Sequence, residues 1–157
     1  MSGSHPLLRF LARTPVRTFL LMPIAVVAVE LAWRGGTLAV EPLGLVLLAW
    51  GWLQYRLSGQ YRSSKGGGGP GIEVPPVRLV TSGIYSLTRN PMYLGHLIFI
   101  LGLAVTFRSW FALALLAGSA LWFDARVRAD EARMRERFGE AYAAYVKRTA
   151  RWVPGVW

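Results

Sequence analysis

The chain has 157 residues, enough for one domain, and its 54% hydrophobic content and mean hydropathy of +0.36 exclude an ordinary soluble fold. Eighteen Lys and Arg against eight Asp and Glu give a net charge of +10, which points to a membrane face rather than nucleic acid because the charges sit between long apolar runs. With no cysteine, disulfides and thiolate chemistry are excluded, and two scattered histidines argue against a zinc site, so no metal is expected.

Four apolar runs approach the roughly 17 to 25 residues that a helix needs to cross a bilayer. The first, 16–33, follows Arg9, Arg13 and Arg17, the basic flank of a secretory signal. It ends in VELAWRGG without a small-residue cleavage site, so it is expected to stay as a first span. The second run is 38–57. A polar connection, 58–90, comes next and is expected to be cytosolic. Within it SSKGGGGPG, 63–71, has the composition of a flexible linker, and EVPPVRLV, 73–80, should be extended because a residue before proline avoids the helical region. A phosphate-cradling loop is the weaker reading of the glycines, since no Lys-Ser/Thr and helix follow.

The third run, 91–107, and the fourth, 110–123, are separated only by Arg108 and Ser109, which suits a tight helical hairpin. Basic residues crowd the N-terminal tail, the 58–90 connection and the segment 124–157, whereas the other two connections hold Arg34 and Arg108. Cytoplasmic loops carry the Lys and Arg excess, so four spans put both termini and the 58–90 connection in the cytoplasm. In a bacterium the membrane would be the inner one. The expected fold is a single all-α integral membrane domain, 1–157, with a cytosolic C-terminal helix.

That helix is amphipathic. Val127, Glu131, Met134, Phe138, Tyr142 and Tyr145 recur at intervals of three or four, and Gly139 should end or bend it. Glu131 lies on the oily stripe, where a carboxylate needs a partner. Arg126 and Asp130 are spaced for an i, i+4 ion pair. At the start of the third run, SLTRNPMYLGH has a plain structural reading. Asn90 caps the helix, Pro91 takes its first position, Arg89 anchors at the interface and Gly95 permits a close helix contact.

Two blocks also carry a resemblance. RLVTSGIYSLTRNPMYLG, followed after the hairpin by RVRADEARMRERFGEAYAAYVKRTARWVP, resembles the isoprenylcysteine carboxyl methyltransferase and phospholipid methyltransferase superfamily over about the C-terminal half. The resemblance implies S-adenosylmethionine as cofactor and methylation of a lipophilic or membrane-borne acceptor from the bilayer. It implies catalytic positions at Arg89, Asn90, Arg126 and Glu131, and cofactor-binding positions at Leu79, Val80, Gly83, Tyr85, Arg89, Asn90, Tyr93, Gly95, Asp130 and Glu131. The chain departs from the family pattern twice. Asn90 replaces a histidine and Asp130 a glutamate, and asparagine cannot carry a proton near neutral pH.

The residue types suit the implied cofactor. Asp130 and Glu131 can accept from its ammonium or ribose, Arg89 or Arg126 can hold its carboxylate, and Tyr85 or Tyr93 can lie near its sulfonium. A prenylated cysteine carboxylate, a phospholipid amine and another lipophilic acid or thiol all stay open as acceptors. The reading from another class is a membrane scaffold or transport subunit that has kept the helical frame without catalysis. A reductase is disfavoured because no dinucleotide fingerprint occurs.

Overall fold

A computed structural model of the protein describes residues 6–154. The outermost residues of the expected 1–157 domain, 1–5 and 155–157, lie outside the described residues, as does the side chain of Arg9. The described chain is helical, with no β-strand and one isolated parallel bridge, Thr88 to Ala150. Its helices are α1 (Pro6–Leu11), α2 (Thr14–Trp33), α3 (Pro42–Gly66), α4 (Pro91–Phe107) and α5 (Trp110–Arg148).

Helix boundaries differ from the apolar runs for local reasons. Helix α2 opens into a π turn over Arg17–Leu21, just before Pro23. A proline ring crowds the carbonyl four residues back and brings no N–H, so the turn ahead of it widens. Helix α3 begins at Pro42 rather than residue 38, since proline is accommodated in the first turn and disfavours helix before it. It then continues past 57 to Gly66, because the polar residues that end an apolar run do not end a helix. The expected linker 63–71 is accordingly corrected: its first four residues are the last turn of α3, and the chain leaves through Gly67 and Gly68, both at positive φ.

The expected boundary between a fourth span and a separate C-terminal helix is absent. Helix α5 runs unbroken from Trp110 through 124–138, where no Gly or Pro intervenes, and the break falls at Gly139 (φ 49°, ψ −125°). Among the described residues two helices are long and apolar enough to cross a membrane, Thr14–Trp33 and Trp110–Arg148, while Pro91–Phe107 is a shorter apolar helix.

The chain divides into two compact units. Among the described residues the first comprises 6–52 together with 96–116. Its apolar cluster is Val26, Leu103, Ala104 and Ala112, flanked by Met22, Leu48, Phe99, Phe107 and Leu115. Helix α3 approaches α4 closely here: a side chain at Gly102 would meet the backbone of Leu48, and one at Gly44 would meet Thr106. His96 stacks on Phe19 at 4.7 Å. The hairpin forms as its two-residue link predicts, with Arg108 at φ 48° and Ser109 capping α5 by accepting from the Ala112 N–H at 3.0 Å. Arg34 pairs with Glu30 at 2.8 Å and donates to the carbonyls of Phe107 and Arg108, both at 3.0 Å, which satisfies carbonyls at the end of α4.

Among the described residues the second unit comprises 53–95 and 117–154. Its irregular segment is pinned rather than loose. Arg62 donates to the carbonyls of Gly71 and Val74 (2.6 and 2.8 Å), and the Ser63 hydroxyl donates to that of Gly68. A 3-10 turn, Gly83–Ser86, then carries Tyr85 inward.

Candidate functional site

Within the second unit, the start of α4 is held by the strap that follows α5. The Arg89 N–H donates to the Ala150 carbonyl at 2.9 Å, and the Thr88 hydroxyl to that of Arg151 at 3.1 Å. Asn90 is the N-cap, its carbonyl accepting from the Leu94 N–H at 3.0 Å. Its side-chain amide also donates to the Arg151 carbonyl at 3.2 Å. Asn90 therefore starts the helix and ties it to the strap.

Glu131 finds the partner that its place on the oily stripe demands, and finds two. Arg89 Nε lies 3.0 Å from its Oε1, and Arg151 lies 2.9 Å from its Oε2, with further Nε contacts of 3.3 and 3.2 Å. The Glu131 and Arg89 side chains are only 11% and 7% exposed. Arg89 also donates to the carbonyls of Val146, at 3.2 Å, and Thr149. A buried charge with several hydrogen bonds is tolerated where a lone one is not. The same hydrogen bond to Glu131 pushes the Arg151 pKa up.

A second polar group lies one helical turn further along α4. Tyr93 donates to Asp130 at 2.6 Å and accepts from Arg126 Nε at 3.0 Å. The i, i+4 pair expected between Arg126 and Asp130 is not the contact formed: the tyrosine hydroxyl stands between them, and Asp130 pairs with Arg133. Arg126 also lies over the Trp122 ring, 5.4 Å from its centroid.

These groups line a cavity of about 440 Å³, within the range of small-molecule sites. Of the eleven residues expected at the site, nine line it: Leu79, Val80, Tyr85, Arg89, Asn90, Tyr93, Arg126, Asp130 and Glu131. Gly83 and Gly95 do not. Gly83 (φ 58°) serves the turn that aims Tyr85, and a side chain there would strike the Tyr61 ring. Gly95 is buried in α4. Burial pushes the Tyr85 pKa up to about 12, so its hydroxyl is a neutral donor; it donates to the Ser58 carbonyl at 3.3 Å.

Sequence reasoning missed Tyr142, Tyr145 and Arg62 on the lining, and Arg151 behind Glu131. The two tyrosines were visible as the inward side of the α5 stripe. Nothing local in the sequence singles out Arg151, which reaches Glu131 only because the chain turns back after Arg148.

The described residues are helical, and two of their helices are long and apolar enough to cross a membrane, which points to the membrane class of proteins. A family model described as phospholipid methyltransferase matches residues 43–141, and the chain belongs to that family. It is 36% identical over 78 residues to the protein-S-isoprenylcysteine O-methyltransferase of Schizosaccharomyces pombe, covering 48% of this chain and 33% of that protein. It is 40% identical over 77 residues to the cobalt-zinc-cadmium resistance protein CzcN of Cupriavidus metallidurans, covering 48% and 35% respectively. The chain thus spans about a third of the length of these curated relatives.

Proposed function

We propose that the protein transfers a methyl group from S-adenosylmethionine to a lipophilic or membrane-borne acceptor, with both termini and residues 58–90 on the cytoplasmic side of a four-span domain. The observation that carries this reading is the cavity: residues of two sequence blocks 33 positions apart, 79–93 and 126–145, line one space of about 440 Å³. Membership of the phospholipid methyltransferase family supports the same chemistry.

The residues fit such a cofactor by donor type. Arg126 has no carboxylate partner among the described residues and suits a carboxylate, Asp130 suits an ammonium, and the aromatic ring of Tyr85 or Tyr93 suits a cationic sulfonium. When bound, the sulfonium supplies an already activated methyl group. The chain's own task is then to bind, orient and exclude water, which is catalysis by positioning. Arg89 and Glu131 hold the cavity wall in register, and Asn90 fixes the start of α4. No proton carrier is required at Asn90 for an acceptor that arrives as an anion.

The test uses the purified full chain in detergent. Calorimetric titration should show saturable binding of S-adenosylmethionine, and labelled cofactor should pass its methyl group to extracted membrane lipids or to a prenylcysteine analogue. Absence of binding would support the scaffold or transport reading instead.

A further inference from the structure

Four tyrosines line the cavity, and three have their hydroxyls committed within the protein. Tyr85 donates to the Ser58 carbonyl, Tyr93 to Asp130, and Tyr145 to the Tyr85 carbonyl at 2.5 Å. Tyr142 is the exception. Its side chain is 3% exposed and its ring meets Tyr145 edge to face, with centroids 6.0 Å apart, but no described residue meets its hydroxyl with a hydrogen bond. Its oxygen is not among the fully buried side-chain atoms that lack a partner, so the hydroxyl opens onto the cavity that the residue lines, free to meet a bound molecule.

The neighbouring carboxylate cannot serve a ligand in its place. Both oxygens of Glu131 already accept from Arg89 and Arg151, so little acceptor capacity is left for a ligand. We infer that the Tyr142 hydroxyl is a direct hydrogen-bonding contact to the nucleoside part of the methyl donor, and that Glu131 is a positioning residue that acts through Arg89 and Arg151. This inference rests on the methyl-donor reading above. A nucleoside offers hydroxyls and ring nitrogens, which a neutral phenol can meet either as donor or as acceptor. The ring of Tyr145 beside it, also on the cavity wall, suits a flat base.

The experiment compares Tyr142→Phe and Tyr145→Phe in the full chain. S-adenosylhomocysteine is the probe, its affinity is read by calorimetry, and the melting temperature is read without it. Tyr142→Phe removes a hydroxyl with no partner in the protein, so the melting temperature should hold while affinity falls about threefold to tenfold, the span of one neutral hydrogen bond. Tyr145→Phe strands the Tyr85 carbonyl and should lower the melting temperature by several degrees. Wild-type affinity in Tyr142→Phe would overturn the inference while leaving the methyl-donor reading in place. Equal loss of thermal stability in the two variants would also overturn it, since Tyr142 would then be structural. Failure of the wild-type protein to bind the probe would remove both the reading and the inference built on it.

Discussion

Removing the Glu131 charge leaves two arginines facing each other across a largely buried position. Breaking a buried ion pair from one side costs about 3 to 5 kcal/mol, and glutamine keeps only part of the hydrogen bonding. Glu131→Gln should therefore lower unfolding stability by roughly 3 kcal/mol, measured by thermal or denaturant unfolding in detergent; an unchanged transition would mean that the pair carries no net weight. Arg89→Lys belongs to the same cluster. Lysine brings one nitrogen where arginine serves Glu131 through Nε and two carbonyls through another nitrogen, so stability should drop by about 2 kcal/mol, the cost of leaving a buried acceptor unmet. Tyr85 gives a pH signature. Its folded pKa is raised to about 12, so the folded state favours the neutral phenol. Its contribution is complete below the ordinary value near 10 and is lost as pH rises towards 12, a total of roughly 3 kcal/mol for about two units. Melting temperature against pH should fall more steeply above pH 10 in the wild type than in Tyr85→Phe. At this scale the sequence exposed residue types and their spacing. It showed that Glu131 needs a partner, but not that the partners are Arg89, 42 positions away, and Arg151 on a returning strap.

Continuous apolar runs of about bilayer-crossing length located the long described helices, and the 3.6-residue repeat added the C-terminal part of α5. The runs mistook where helices stop, since a hydropathy boundary marks the edge of an apolar environment while a helix ends at a backbone breaker. Helix α3 passes Gln54 and Arg56 and halts at Gly66, and α5 passes Asp124 without interruption. Gly139 is the real discontinuity, and it was legible as a glycine just after Phe138. A side chain there meets nothing within 4 Å, so the objection to one is conformational rather than steric. At φ 49° and ψ −125° a non-glycine residue is strained by about 1 to 3 kcal/mol. Gly139→Ala should destabilise the protein by about that amount. If the helix instead straightens, Tyr142 and Tyr145 rotate away from the cavity, and ligand affinity should fall more than stability does. An alanine variant with wild-type melting and wild-type binding would show that the kink is not needed.

For the whole molecule, the charge distribution is the argument for orientation. The expected external connections hold Arg34 and Arg108, and both are engaged inside the first unit: Arg34 by Glu30 and two carbonyls, Arg108 by Glu41. Trp33 and Trp110, beside those connections, are 85% and 83% exposed, as expected of indoles at a membrane interface. On the opposite expected face, α5 carries Arg128, Arg133, Arg135, Arg137, Lys147 and Arg148 at exposed positions. An asymmetry of this kind retains the basic segments on the cytoplasmic side during insertion. Reporter fusions at Gly69 and after Trp157 should both report the cytoplasm, and one at Gly36 the opposite face. Replacing Arg128, Arg133, Arg135 and Arg137 by glutamine, which removes charge without adding apolar surface, should give a mixed orientation in the same assay if the bias sets topology. A fusion at Gly69 on the outer face would break the four-span arrangement and separate the cavity from a cytosolic methyl donor, whatever its residues could bind.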